Sequence, residues 1–177
     1  MRARRPQIKE RRNPDGARNI NFVDQTLRFS GAGRVSAWDF WAGDAGSMAV
    51  QVWRPANVDN GHAEAVHQYT LICENYVHAE TANIDYHFEI PAEEHCTVRD
   101  GDVIGWYHQS SGIIDFDYGR DDGSADTVRW HYGDHPGIGG VVDFDGCALC
   151  AGRAQVSLEQ FSAVLNGSVQ FRTVQNS

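Results

Sequence analysis

Apolar and polar side chains alternate with a period of two along several short stretches of the chain. Ile84, Tyr86, Phe88 and Ile90 alternate with Asp85, His87 and Glu89. In an extended strand this puts four apolar groups on one face and three polar groups on the other, whereas a helix would scatter them. Tyr69, Leu71 and Cys73 alternate with Thr70, Ile72 and Glu74, and Val128, Trp130 and Tyr132 with Thr127, Arg129 and His131. The segments 35–41 and 48–54 are rich in aromatic and β-branched residues, and Gly43 and Gly46 between them suit a hairpin loop. Asp100-Gly101-Asp102 is a turn signal leading into a strand over Val103–Tyr107. Shorter strands are expected near 112–116, 139–144, 154–158 and 169–174.

Strands this short, punctuated by Gly and Asp, predict an all-β chain: an antiparallel β-sandwich or jelly roll. One segment reads two ways. Ser157-Leu-Glu-Gln160 has the form of a capping box, with Leu158, Phe161 and Leu165 on one helical face and Gly167 as a C-cap. The residues beyond it favour a strand for the first half. Trp38, Trp53 and Trp106 are expected in the core. Asp102 is expected to accept backbone N–H bonds and fix its turn, and Gly105 to leave room for a neighbouring aromatic ring.

A resemblance is carried by the same strands. Gly33-Arg-Val-Ser-Ala-Trp-Asp-Phe-Trp-Ala-Gly43, Gln51-Val-Trp-Arg-Pro55, Tyr69 to Asn75, Gly101-Asp-Val-Ile-Gly-Trp-Tyr107 and Val128-Arg-Trp130 succeed one another in order. This order resembles β-sandwich modules of large extracellular proteins of marine invertebrates, some of which lie beside polycystin-like or adhesive domains. The resemblance covers residues 27–160. It implies an extracellular, non-catalytic module similar to carbohydrate-binding and adhesion domains, and it brings no catalytic residues with it. The N-terminal arm and Cys147-Ala-Leu-Cys150 depart from the pattern.

Charge divides the chain in two. Of 177 residues, 15 are basic and 24 acidic, a formal net charge of -9. Residues 1–18 hold Arg2, Arg4, Arg5, Lys9, Arg11, Arg12 and Arg18 against Glu10 and Asp15, leaving 8 basic and 22 acidic residues in the rest. An acidic body of this kind repels phosphate backbones, so nucleic acid is not an expected partner for it. The arm, with Pro6, Pro14 and Gly16, reads as a flexible basic tail over residues 1–19, ahead of one sandwich domain over 20–177. No apolar run is long enough to span a bilayer. No apolar signal region comes after the arm, so an extracellular location requires a signal outside this sequence.

The candidate chemistry is modest. Four cysteines predict two disulfides outside the cell, with Cys73 and Cys96 able to pair across a sheet and Cys147 and Cys150 able to close a short loop, although four cysteines allow three connectivities. Asp115, Asp117, Asp121, Asp122 and Asp126 crowd a dozen residues, and their mutual repulsion would relax around a hard cation such as calcium. The alternative is a solvated acidic loop. Trp130, His131, Tyr132, Asp134 and His135 form a set suited to sugar, because carboxylates accept hydroxyls while an aromatic face stacks on a pyranose. Nucleotide and acyl-transfer motifs are absent. Asn166-Gly-Ser168 is a glycosylation sequon.

These features predict a lectin-like or adhesion module that binds a glycan or an extracellular protein through loops at one end of a sandwich. The second reading is an assembly subunit that forms a homo-oligomer, with the basic arm as tether. A glycoside hydrolase ranks third.

Overall fold

The computed structural model describes residues 16–56, 68–115, 128–133, 135–144, 146–147, 161–166 and 170–173. Among the described residues there are twelve strands, one 3-10 turn at Ala92–Glu94 and no α-helix. The strands are β1 (Ile20–Ser30), β2 (Gly33–Ala42), β3 (Gly46–Pro55), β4 (Gln68–Ala79), β5 (Ile84–Glu89) and β6 (Cys96–Val98). They continue with β7 (Val103–His108), β8 (Val128–Tyr132), β9 (Val141–Asp143), β10 (Gly146–Cys147), β11 (Phe161–Asn166) and β12 (Gln170–Thr173). Every pairing between them is antiparallel.

Two sheets result. The larger runs β10-β8-β1-β7-β3-β4-β9, with β12 on the second half of β1; the smaller runs β11-β2-β5, with β6 also on β2. The larger sheet is nearly closed, and the covalent chain shows why. Asp143 ends β9 at one edge, while Gly146 opens β10 at the other. Three residue steps reach at most about 11 Å, yet β10 and β9, six strand spacings apart, would lie about 29 Å from each other if the sheet were flat. The sheet must curl. His131 Nδ1 lies 3.1 Å from the Asp143 carbonyl oxygen and closes the seam between β8 and β9.

Each face of the curled sheet buries its own cluster. Phe22, Val50, Val52, Ile104 and Trp106 pack against Val35, Trp38 and Phe40 of the smaller sheet. On the concave side Val23, Trp53, Tyr69, Leu71, Val103, Val142 and Phe144 meet. Phe144 stands edge-on to Trp53 at 5.0 Å and to Tyr69 at 5.7 Å, an arrangement that suits ring quadrupoles. Trp38, Trp53 and Trp106 are fully buried, as expected.

Two links join the sheets. Cys73 of β4 and Cys96 of β6 form the expected disulfide, with Cα atoms 5.8 Å apart. Beside it the Trp38 indole N–H donates to Asn75 Oδ1 at 2.9 Å, and Asn75 Nδ2 donates to the Glu94 carbonyl oxygen at 3.0 Å. Cys150 lies outside the described residues, and so does the second expected bridge.

Local expectations fare unevenly. Gly101 has φ +85° and Asp102 is buried beneath it. Asp102 accepts the Arg99 backbone N–H at 2.8 Å and both Nε and Nη2 of Arg54 at 2.8 Å. That bond, with the Asp102 charge, raises the Arg54 pKa above its ordinary value despite partial burial. The expected hairpin over 35–54 does not form: β2 and β3 enter different sheets, so residues 43–45 cross between them. Gly43 donates its N–H to the Ile113 carbonyl at 2.9 Å and packs against the Asp115 carboxylate, which leaves a side chain no room at the crossing. The described residues of the expected strand near 112–116 are irregular, with bends at Ile113 and Ile114, and Phe161–Asn166, whose spacing also allows a helix, is a strand. The expected strand at 154–158 lies outside the described residues.

This packing sets two expectations for stability. A Cβ at Gly105 would sit 2.6 Å from the Trp53 ring and against the Phe22 carbonyl. Gly105→Val should therefore cost about 3 kcal/mol, and an unchanged denaturant midpoint would refute the close approach. Cys73→Ser/Cys96→Ser should cost about 3 kcal/mol for the cross-link of a loop of this length, read as a lowered melting temperature that reducing agent no longer affects.

Candidate functional site

The concave side of the larger sheet changes character along its strands. Toward Trp53, Leu71 and Tyr69 it is apolar. Toward the opposite end the inward positions are Gln51 on β3, Glu74 and Tyr76 on β4, Tyr107 on β7, Asn21 on β1 and His131 on β8. Register fixes that set: Asn21 pairs with both His131 and Tyr107, Tyr107 with Ala49, Ala49 with Tyr76, and Gln51 with Glu74. A bulge between Val52 and Trp53 skips Ile72 on β4 and shifts its alternation. Leu71 thus faces the concave cluster while Cys73 turns to the other sheet, and Glu74 and Tyr76 fall on the concave side.

After β8 the chain turns at Gly133, φ +128°, and carries His135 over this end. The His135 ring stands edge-on to Tyr107 at 4.8 Å. Its Nδ1 lies 2.9 Å from the Pro136 carbonyl oxygen and 3.6 Å from Glu74 Oε2, and its Nε2 lies 3.0 Å from the Tyr76 hydroxyl. A carbonyl only accepts, so Nδ1 is the ring nitrogen that carries a proton toward Pro136 and Glu74. The Tyr76 hydroxyl also donates to Glu74 Oε1 over a long 3.4 Å. Glu74 keeps a 3.4 Å contact from Gln51 Nε2 and the shared His135 N–H. Gln51 is itself oriented by the Trp53 indole N–H, which donates to its Oε1 at 3.1 Å.

Glu74 is therefore a carboxylate with acceptor capacity to spare, its side chain 14% exposed. Tyr76 beside it has 60% of its surface exposed. Across the same end, Asn21 is fully buried and its Nδ2 donates to the Gly133 carbonyl at 3.3 Å. Its Oδ1 receives no donor among the described residues. Tyr107 donates to Asn19 Oδ1 at 2.6 Å. Burial, then the Glu74 charge and hydrogen bond, raises the Tyr76 pKa above the ordinary phenol value.

The expected sugar-binding set is divided between the two faces of β8. Trp130 and Tyr132 share one face, their rings 4.9 Å apart, with Trp130 packed on the main core and Tyr132 exposed. His131 and His135 belong to the concave end. Asp134 lies outside the described residues. Of the expected cation ligands, Asp117, Asp121, Asp122 and Asp126 lie outside the described residues, and Asp115 is buried against Gly43. Among the described residues no group of three or more His, Cys, Asp or Glu side chains is placed to hold a metal ion. Glu74, Tyr76, Gln51, Asn21 and Tyr107 were not expected at a site. They lie on four different strands, and nothing in the sequence tells which strands are neighbours.

The interior yields a pH prediction. Burial raises the Tyr69 pKa above its ordinary 10.0, partly offset by Gln25 Nε2, which donates to its hydroxyl at 2.8 Å. A raised folded-state pKa gives stability that is whole below the unfolded pKa and is lost as pH climbs through the folded value. The stability advantage of the parent over Tyr69→Phe should narrow as pH rises above about 10, measured by urea denaturation; an advantage that widens would contradict the burial.

No protein-family model, curated protein or solved structure matches this chain.

Proposed function

We propose that this chain is a non-catalytic extracellular recognition module of the β-sandwich, jelly-roll-like kind, and that it binds carbohydrate at the concave end of its larger sheet. The observation that carries the reading is Tyr76, an exposed ring whose hydroxyl lies 3.4 Å from the under-used Glu74 carboxylate. An aromatic face covers the apolar side of a pyranose, while a carboxylate and a carboxamide oxygen accept its hydroxyl protons. His135 and Gln51 hold the carboxylate in place from either side. The Cys73–Cys96 disulfide supports an oxidising compartment, and no helix among the described residues is long and apolar enough to cross a membrane.

A second reading, self-association, is supported by Ile138 and Val141. They stand 67% and 59% exposed at and just before the edge strand β9. Edge strands with exposed apolar groups are places where copies of a chain meet.

Screening the protein on a glycan array tests the first reading. Binding to at least one saccharide class is expected, and Tyr76→Ala should weaken it about tenfold or more, the size of one lost stacking contact plus its hydrogen bond. Failure to retain any glycan, or equal retention by a folded Tyr76→Ala variant, would exclude this end of the sheet as a sugar site.

A further inference from the structure

The acceptors at the concave end specify more than a sugar. We infer that the ligand is a saccharide bearing free amino groups, with an ammonium seated on Glu74 beside Tyr76; this rests on the carbohydrate reading above. Four observations converge on it. Glu74 is a carboxylate whose lone pairs are only weakly claimed, by Gln51 and Tyr76 at 3.4 Å and His135 at 3.6 Å. An ammonium brings three donors and a full charge, and a charge-assisted bond is about twice as strong as one from a neutral hydroxyl. Tyr76 is exposed, with its hydroxyl 3.4 Å from Glu74 Oε1, so its ring is within reach of a cation there and favours positive charge.

The second acceptor points the same way. Asn21 Oδ1, on a fully buried residue at the same end, has no donor among the described residues. A buried acceptor left without a donor is costly, so a ligand donor placed there gains what folding left out. Asn21 and Glu74 sit on β1 and β4, three strand spacings apart in the sheet order β1-β7-β3-β4. That is about 14 Å along the wall and less across the curled interior, which fits an oligosaccharide better than a single sugar. Finally, residues 19–177 carry 22 acidic against 8 basic side chains, a field that gathers cations and turns away sulfated or carboxylated glycans.

Calorimetric titration of the full chain with glucosamine tetramer, N-acetylglucosamine tetramer and cellotetraose tests the inference. The free-amine tetramer should bind at least about tenfold more tightly than either neutral one, with the difference shrinking as salt rises. Glu74→Gln, with folding verified by its melting temperature, should bring the three to within about twofold of one another. Equal or tighter binding of the neutral tetramers would overturn the amine assignment while leaving the carbohydrate reading standing. So would a folded Glu74→Gln variant that keeps the preference. Binding of none of the three would overturn both.

Discussion

The structure depends on one constraint: a strand at one edge of the larger sheet and a strand at the other are separated by only two residues of chain. Asp143 belongs to β9 and Gly146 to β10, so the sheet has to bring its edges together. Everything on the concave side is a consequence. Phe144, in the short link itself, is drawn inward onto Trp53 and Tyr69. Gly105 has no side chain because the Trp53 ring lies against it. The seam bond from His131 to the Asp143 carbonyl then ties β8 to β9 and sets where the segment after β8 begins.

The other side of the sheet is held differently. There the larger sheet rests on the smaller through Trp38, Phe40, Trp106 and their neighbours, and one covalent bridge and one buried carboxamide fix the contact. Asn75 and Glu74 are adjacent in β4 yet serve opposite faces: Asn75 bonds Trp38 in the smaller sheet, while Glu74 meets His135 on the concave side. The Cys73–Cys96 bridge lies next to both. The strand that carries Glu74 is thus tied to the smaller sheet by a covalent bridge and a buried hydrogen bond, which is how a binding surface is kept preorganised.

Much of this is legible in the sequence, for reasons that differ by element. The alternation at Ile84–Glu89 and Val128–Tyr132 marks strands because each has one wet face. The buried tryptophans, the Asp102 turn, the space at Gly105 and the Cys73–Cys96 bridge are legible because each is a local packing demand. Ile20–Ser30 carries no clean pattern. It is flanked on both edges, buried on both faces at Phe22 and Val23, and shifted by an irregularity between Asp24 and Arg28. The crossing at Gly43–Ala45 reads as a hairpin because the same glycines serve either purpose. The concave end is the least legible part. Its residues come from β1, β3, β4, β7 and the turn after β8, and a bulge at Ile72 reverses which of the β4 side chains face it. Period-two reasoning without the bulge puts Cys73 beside Leu71.

The central claim is that curling of the larger sheet seats His135 against Tyr107 and Tyr76, three elements far apart in the chain. Proton NMR of the intact protein in solution measures this directly, through cross-relaxation between the His135 imidazole protons and the Tyr107 ring. With ring centroids 4.8 Å apart and the planes tilted by 71°, a cross-peak is predicted. Its absence from a folded sample, with the Cys73–Cys96 disulfide intact, would mean that the sheet is open and that the proposed site does not exist.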